Sequence, residues 1–275
     1  MATAGIDIGG TKMLMLAECE GKRISKTVPT GARCTPEKIR EAIDAFVGEL
    51  PDSVGRLGIA IPGLVENADT VVVSDVLPLI AGMDAGFLKS GHSVHLLNDV
   101  KAALLHETAG DERTDTAVIM AGTGIAMGMK QNGQVITGCR GWAGELGSMP
   151  IPTSQGVRTL DELAGGAGIL NSADMDAGTL LQQLKEGDEA AKAVVRSAGE
   201  YFGLALSTVI HLLNPEKIIL GGGTIRYDGY LQAAVRTAQA NTLPELWEAC
   251  TIRKAQEAQH MVALGAMRFA EQQDE

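Results

Sequence analysis

The sequence predicts an α/β protein built from two similar halves, and three observations predict it. Near its start, Gly5-Ile6-Asp7-Ile8-Gly9-Gly10-Thr11-Lys12 runs into the apolar Met13-Leu14-Met15-Leu16, which reads as strand, tight turn, strand. Further along, Ala117-Val118-Ile119-Met120-Ala121-Gly122-Thr123-Gly124 followed by Ile125-Ala126-Met127-Gly128-Met129 repeats the device. Behind each turn, short β-type runs alternate with segments of helical apolar spacing.

The elements follow in order. Residues 4–17 and 22–30 read as strands joined by a turn at Glu20-Gly21. A helix starts at Thr35: Pro36 suits its first turn, and Ile39, Ala42, Ile43, Phe46 and Val47 form an apolar stripe. Residues 56–61 are a buried-type strand ending in Pro62-Gly63, and 70–73 and 94–97 are two more. Asn98-Asp99 opens a helix with Ala102, Ala103, Leu104 and Leu105 in its body. In the second half, strands at 115–121 and 124–130 are followed by Asn132-Gly133, a hairpin signal, before 134–137. Residues 138–158 are rich in glycine and proline and read as a loop, long enough to suggest function. Helices are expected at 159–171, 177–184 and 188–213, and a strand at 217–220 runs into Gly221-Gly222-Gly223-Thr224. A helix at 228–240, a β segment at 249–253 and a helix at 261–271 complete the chain. No low-complexity linker divides it. The expected division is a small α/β domain of residues 1–112 with a returning helix at 259–275, and a larger one of 113–258.

Composition narrows the class. At 275 residues the chain forms one large domain or two of ordinary size. Hydrophobic residues make up 45%, enough for a core, and only 3% are aromatic, so that core is aliphatic. A formal charge of −11 argues against nucleic-acid binding, which needs a basic face. No run approaches the about 18 apolar residues of a membrane span, and no charged-then-apolar leader precedes the first strand. A cytoplasmic protein is expected. Cys19, Cys34, Cys139 and Cys250 lie far apart without C-x-x-C spacing, as reduced thiols do. The histidines show no ligand spacing, and His92 and His95 read as structural or solvated.

Glycines at the two turns let the backbone approach a ligand closely, and exposed N–H groups beside a threonine hydroxyl make a nest for phosphate oxygens. A nucleotide phosphate tail held by both turns is the arrangement of a phosphotransferase. Asp7 stands just before the first turn, where a carboxylate can hold Mg2+ directly or through water, or else simply stabilise the turn. Lys12 can neutralise phosphate charge. Asn98-Asp99 lies where a strand ends and a helix begins, the place where open α/β sheets bind ligands. Asp99 can serve as a general base and Asn98 as a hydrogen-bonding group, but both types are equally at home as a helix N-cap. Glu145, in Gly144-Glu145-Leu146-Gly147, can accept hydrogen bonds from a polyol. Asp161 and Glu162 can do the same, or merely complement a helix dipole. The run Gly221-Gly222-Gly223 suits close approach to a nucleotide, though alone it is a weak signal.

Taken together, Asp7-Ile8-Gly9-Gly10-Thr11-Lys12, Ile61-Pro62-Gly63, Asn98-Asp99, Gly122-Thr123-Gly124, Gly144-Glu145-Leu146-Gly147 and Gly221-Gly222-Gly223 resemble the ROK family of sugar kinases, within the hexokinase and actin-like ATPase superfamily. The resemblance spans nearly the whole chain in family order. It implies two actin-like (ribonuclease H-like) α/β domains with a ligand cleft between them, ATP as phosphoryl donor, Mg2+ on its phosphates, and a homodimer. It implies Asp99 as the base that activates a sugar hydroxyl, the 6-hydroxyl. Gly63, Asn98 and Glu145 would hold the sugar. Gly9, Gly10, Thr11, Lys12, Gly122, Thr123, Gly124, Gly221, Gly222 and Gly223 would hold the nucleotide, with Asp7 toward Mg2+.

Four departures accompany it. The family's histidine three residues past Glu145 is Ser148 here, and its zinc-binding cysteine loop corresponds to 152–160, which has no cysteine. No zinc site is expected. The family's next sugar-binding glutamate falls at Asp161 when counted back from Gly166, with Glu162 one residue off. Ser74-Asp75-Val76-Leu77-Pro78 lacks the usual asparagine and tryptophan, so the sugar pocket is atypical. The leading expectation is an ATP-dependent kinase of a hexose or N-acetylhexosamine. The alternatives are a non-catalytic sugar-binding or regulatory homologue, and a kinase for a non-hexose acceptor. The early first strand and the acidic charge disfavour a DNA-binding repressor.

Overall fold

Ala2–Ile8 (β1) turns back at Gly9-Gly10-Thr11 into Lys12–Cys19 (β2), which pairs in turn with Lys22–Pro29 (β3). The computed structural model describes residues 2–51, 53–88, 91–111, 113–257 and 259–273. After β3 come Pro36–Gly48 (α1), Val54–Ile61 (β4), Leu64–Glu66 (β5), Thr70–Val73 (β6), Ala85–Leu88 (α2), Ser93–Asn98 (β7) and Asp99–Glu107 (α3). Thr116–Ala121 (β8), Ile125–Gln131 (β9) and Gln134–Val135 (β10) begin the second series. Pro150–Thr153 (β11), Gly156–Thr159 (β12), Leu160–Ala164 (α4), Gly166–Ala173 (α5), Ala177–Glu186 (α6) and Glu189–Leu213 (α7) continue it. Lys217–Gly221 (β13), Tyr230–Asn241 (α8), Pro244–Ala249 (α9), Thr251–Lys254 (β14) and Met261–Gln272 (α10) complete it.

Two compact units result. The first comprises Met1–Glu112, Ile136–Ala143 and Gln256–Glu275, and the second Arg113–Val135 and Gly144–Ala255. The first holds the sheet β3-β2-β1-β4-β7 and the second the sheet β10-β9-β8-β13-β14. Each is an antiparallel three-strand meander extended by two parallel strands. The repetition seen in the turns therefore extends to whole sheets.

In the first unit, strand alternation sorts the side chains. Ala4, Ile6, Ile8, Met13 and Met15 join Ile39, Ile43 and Phe46 of α1 in one buried cluster. Leu14 and Leu16 point to the other face, against Ala263, Leu264 and Met267 of α10. That helix lies very close to the sheet, because a side chain at Gly5 or Gly58 would overlap the carbonyl oxygens of Ala263 or Ala266. In the second unit α7 and α8 approach with equal intimacy, and Phe202 and Tyr230 stack with ring centroids 5.5 Å apart. Asp188 caps α7 by accepting from Ala191 N–H.

The expected elements largely form, with three differences. Residues 138–158 are not all loop: Pro150–Thr153 pairs with Gly156–Thr159 in a two-stranded hairpin. Pro150 and Pro152 occupy alternate positions, so both nitrogens face the unpaired edge, where no donor is needed. The helix expected at 159–171 is two helices, separated at Gly165, whose extended backbone (φ −69°, ψ 157°) ends one and caps the next. The strand expected at 134–137 stops at Val135. Among the described residues, none of the four cysteines forms a disulfide. Among the described residues, no helix is long and apolar enough to cross a membrane.

Candidate active site

Parallel pairing decides where the candidate residues of the first unit gather. β4 lies between β1 and β7 and runs parallel to both, so all three strands finish at one edge. The first turn, Gly63 and Asn98-Asp99 are the residues that follow those three strand ends. This is the edge at which open α/β sheets collect ligands.

The first turn is held by groups behind it. Gly9 N–H donates to Lys12 O at 2.9 Å, Thr30 Oγ1 donates to Gly9 O at 2.6 Å, and Thr30 N–H donates to Thr11 O at 3.0 Å. All peptides here are trans, so with those carbonyls drawn to Thr30, the N–H groups of Gly10 and Lys12 face the opposite way. Thr11 and Lys12 are exposed, and a side chain at Gly10 would collide with Val76. Thr30 was not foreseen, and Val76 was read only as part of the atypical segment 74–78; tertiary pairing brings both to the turn.

Gly63 adopts φ +143°, a conformation that side chains avoid, and any Cβ there would overlap Val73 O. Its carbonyl accepts from Asn98 Nδ2 at 3.0 Å. Asn98 is buried and caps α3, its Oδ1 accepting from Val100 N–H at 3.0 Å. The capping role anticipated for Asn98 is thus real, and an amide's second N–H and second lone pair remain for a ligand. Asp99, half-buried beside it, also accepts from Val100 N–H, at 2.8 Å. Asp7 is pushed up to about 7, chiefly by burial and next by the negative charge of Asp99, while Lys12 pulls it down. Two carboxylates thus share this edge. Ser74, from the atypical segment, is buried, donating to Pro62 O at 2.5 Å and accepting from Leu77 N–H at 3.1 Å.

The second unit repeats the arrangement with a turn one residue shorter: Ala121 pairs with Ile125, whereas Ile8 pairs with Met13. Gly166 N–H and Ala167 N–H, at the start of α5, donate to Gly122 O and Thr123 O at 2.8 and 3.0 Å. Thr224 Oγ1 adds a second bond to Gly122 O at 2.8 Å. By the same trans-peptide geometry, the N–H groups of Thr123 and Gly124 face away from α5. That makes a donor nest suited to phosphate oxygens. In the run 221–223 Gly222 is sterically required: it has φ +97° and a Cβ there would overlap Ala121 O. Gly223 is exposed and unhindered.

Gly144 O accepts from Met127 N–H at 2.8 Å, fixing the backbone just before Glu145, whose side chain is exposed. Asp161 Oδ1 accepts from Ile125 N–H at 2.6 Å, and Gly147 leaves room for that carboxylate. Glu162 is occupied differently. It closes a capping box, accepting from Thr159 N–H at 2.8 Å while Thr159 Oγ1 accepts from Glu162 N–H. Among the described residues, no group of three or more histidine, cysteine or acidic side chains is arranged to hold a metal ion.

The motifs, their order and these turns agree with the comparisons to known proteins. A family model described as ROK family matches residues 3–273, and the chain belongs to that family. The N-acetyl-D-glucosamine kinase of Citrobacter koseri is 27% identical, over 97% of this chain and 97% of that one. The N-acetylmannosamine kinase of the same organism is 27% identical, over 84% of this chain and 86% of its own. The crystal structure of the ROK hexokinase from Thermus thermophilus superposes with a TM-score of 0.83 at 25% identity, covering 100% of this chain and 99% of that one. The resemblance read from the motifs and the α/β fold class it implied are borne out.

Proposed function

From membership of the ROK family, we propose that this chain is an ATP-dependent kinase that phosphorylates a hydroxyl of a hexose or N-acetylhexosamine. The observation that carries the reading is the pairing of Asp99 with Asp7 at the strand ends of the first unit, beside a turn whose amides face outward. Phosphoryl transfer is mainly positioning and electrostatics, and the chain offers what that requires. Outward amides in both glycine-threonine turns, with Lys12, suit the phosphates. Gly222, forced close to Ala121, suits a nucleotide passing over bare backbone.

In this reading Asp99 accepts the proton of the attacking 6-hydroxyl of the sugar, as that oxygen bonds to the γ-phosphorus of ATP and the bond from that phosphorus to its bridging oxygen breaks, leaving ADP. Asn98, fixed by Gly63 and by its own cap, offers its remaining hydrogen-bonding capacity to neighbouring hydroxyls. Glu145 accepts from others, with Asp161 behind it. Asp7 fits Mg2+, since a carboxylate that resists ionisation because of burial and a second carboxylate is relieved by a cation. When bound, Mg2+ supplies neutralisation of the phosphate charge. A cytoplasmic homodimer is part of the same proposal, supported by the family alone.

ADP release from the purified protein with Mg-ATP tests it, across glucose, mannose, fructose, allose, N-acetylglucosamine and N-acetylmannosamine. Stimulation by one sugar is expected and names the acceptor. Silence across the panel, with ATP binding demonstrated, would overturn the hexose reading and favour a different acceptor or a non-catalytic binder.

A further inference from the structure

The segment Ile136–Ala143 belongs to the first unit, although its sequence neighbours on both sides belong to the second. Lys101 Nζ donates to Gly141 O, and a Cβ at Gly141 would stand 3.3 Å from Val65 O. Lys101 lies on α3 two residues beyond Asp99, and Val65 lies two residues beyond Gly63. The segment is therefore seated on α3, which begins at Asp99, and on β5, which follows Gly63. Its tryptophan is fixed from one side: the Arg140 guanidinium carbon lies 5.4 Å from the Trp142 ring centroid, and Arg140 also reaches Glu66 at 3.8 Å.

The other end of the ring is unsatisfied. Among the described residues, Trp142 Nε1 is the buried side-chain nitrogen or oxygen that makes no hydrogen bond. Leaving a buried donor unpaired is costly, so proteins seldom do it without a reason. An indole N–H donates and never accepts, so the partner that would satisfy it is an oxygen acceptor. Resting on the kinase reading above, we infer that Trp142 is a specificity-determining residue whose N–H donates to an oxygen of the bound sugar. A site built around such a donor discriminates against acceptors lacking that oxygen far better than an apolar wall does.

The test is steady-state kinetics of wild type and Trp142→Phe with the preferred sugar, each variable substrate in turn. The variant keeps an aromatic ring and loses only the donor and the larger indole. Its KM for the sugar is expected to rise about 3–10-fold with the KM for ATP within twofold, the scale of one hydrogen bond. A folded variant with unchanged sugar KM overturns the inference and leaves the kinase reading standing. A wild-type protein that turns over no sugar removes that reading and this inference with it. Should Trp142→Phe fail to fold, Trp247→Phe decides instead, because it leaves Trp142 as the sole tryptophan. Sugar without ATP is then expected to shift the emission, and an unmoved spectrum at saturating sugar overturns the inference.

Discussion

Asp161 accepts the backbone N–H of Ile125 at 2.6 Å, joining the first turn of α4 to the first residue of the strand that leaves the second glycine-threonine turn. Glu162, its neighbour, spends its carboxylate on the cap of its own helix. The two acids, ambiguous by residue counting, are thereby separable by experiment. Asp161→Ala leaves a backbone amide without its acceptor and is expected to lower stability by about 1–3 kcal/mol and to raise the sugar KM. Glu162→Ala is expected to cost about 0.3–1.5 kcal/mol and leave the sugar KM unchanged. Urea unfolding beside kinetics checks both, and a KM change confined to Glu162→Ala would reverse the assignment.

Asp99→Asn keeps the size of the side chain and removes its basicity. Turnover is expected to fall by about 10²–10⁴-fold, with nucleotide affinity retained, as when a general base is lost. Calorimetric titration with a non-hydrolysable ATP analogue and single-turnover rates check the two halves of that statement. Near-wild-type turnover would remove Asp99 from the base role.

Asp7 makes stability depend on pH in a defined direction. Its folded pKa, about 7, lies above its ordinary value of 3.8, so folding favours the protonated acid. The cost of ionising it is absent below pH 4, grows between pH 4 and 7, and is complete above. In the presence of chelator, Asp7→Asn is expected to melt about 2–4 °C above wild type at pH 8 and level with it at pH 4. Thermal melts at the two pH values check this, and an equal gain at both would mean that ionisation is not the cause.

Asn98→Ala removes a helix cap and the bond to Gly63 O together. A loss of about 1–3 kcal/mol is expected, along with a higher sugar KM, since Gly63 loses its anchor. Denaturant unfolding and kinetics on one preparation give both numbers.

Metal analysis of the purified protein tests the reading of the cysteine-free stretch. Zinc well below one per chain is expected, together with a melting temperature unmoved by chelator. One tightly held zinc per chain would show that other residues had replaced the cysteines.

Much of the fold was legible because short-range chemistry dictates it. The two turns, the strands around them and the stripe Ile39, Ile43, Phe46 follow from glycine placement and apolar period alone. The β11–β12 hairpin was hidden because Pro150 and Pro152 read as breakers, and they are harmless only at a strand edge. Asn98 was ambiguous for a physical reason: the same amide that suits a ligand also suits a cap, and here it caps α3 while bonding Gly63. Thr30, Trp142 and the Asp161–Ile125 bond were not readable, since each depends on contacts between residues distant in sequence.

The intimacy of α10 with β1 and β4 has a consequence for biosynthesis. Gly5 and Gly58 leave bare backbone that Ala263, Ala266 and Met267 cover, and those residues come after the whole second unit in the chain. As the ribosome extrudes the protein, β1 and β4 lack the cover of α10 until the second unit has been made. The second unit, whose last segment ends at Ala255, is complete earlier. The unit begun first is thus the one whose covering helix is made last, and its β1–β4 surface is one on which a chaperone or a pause late in synthesis would act.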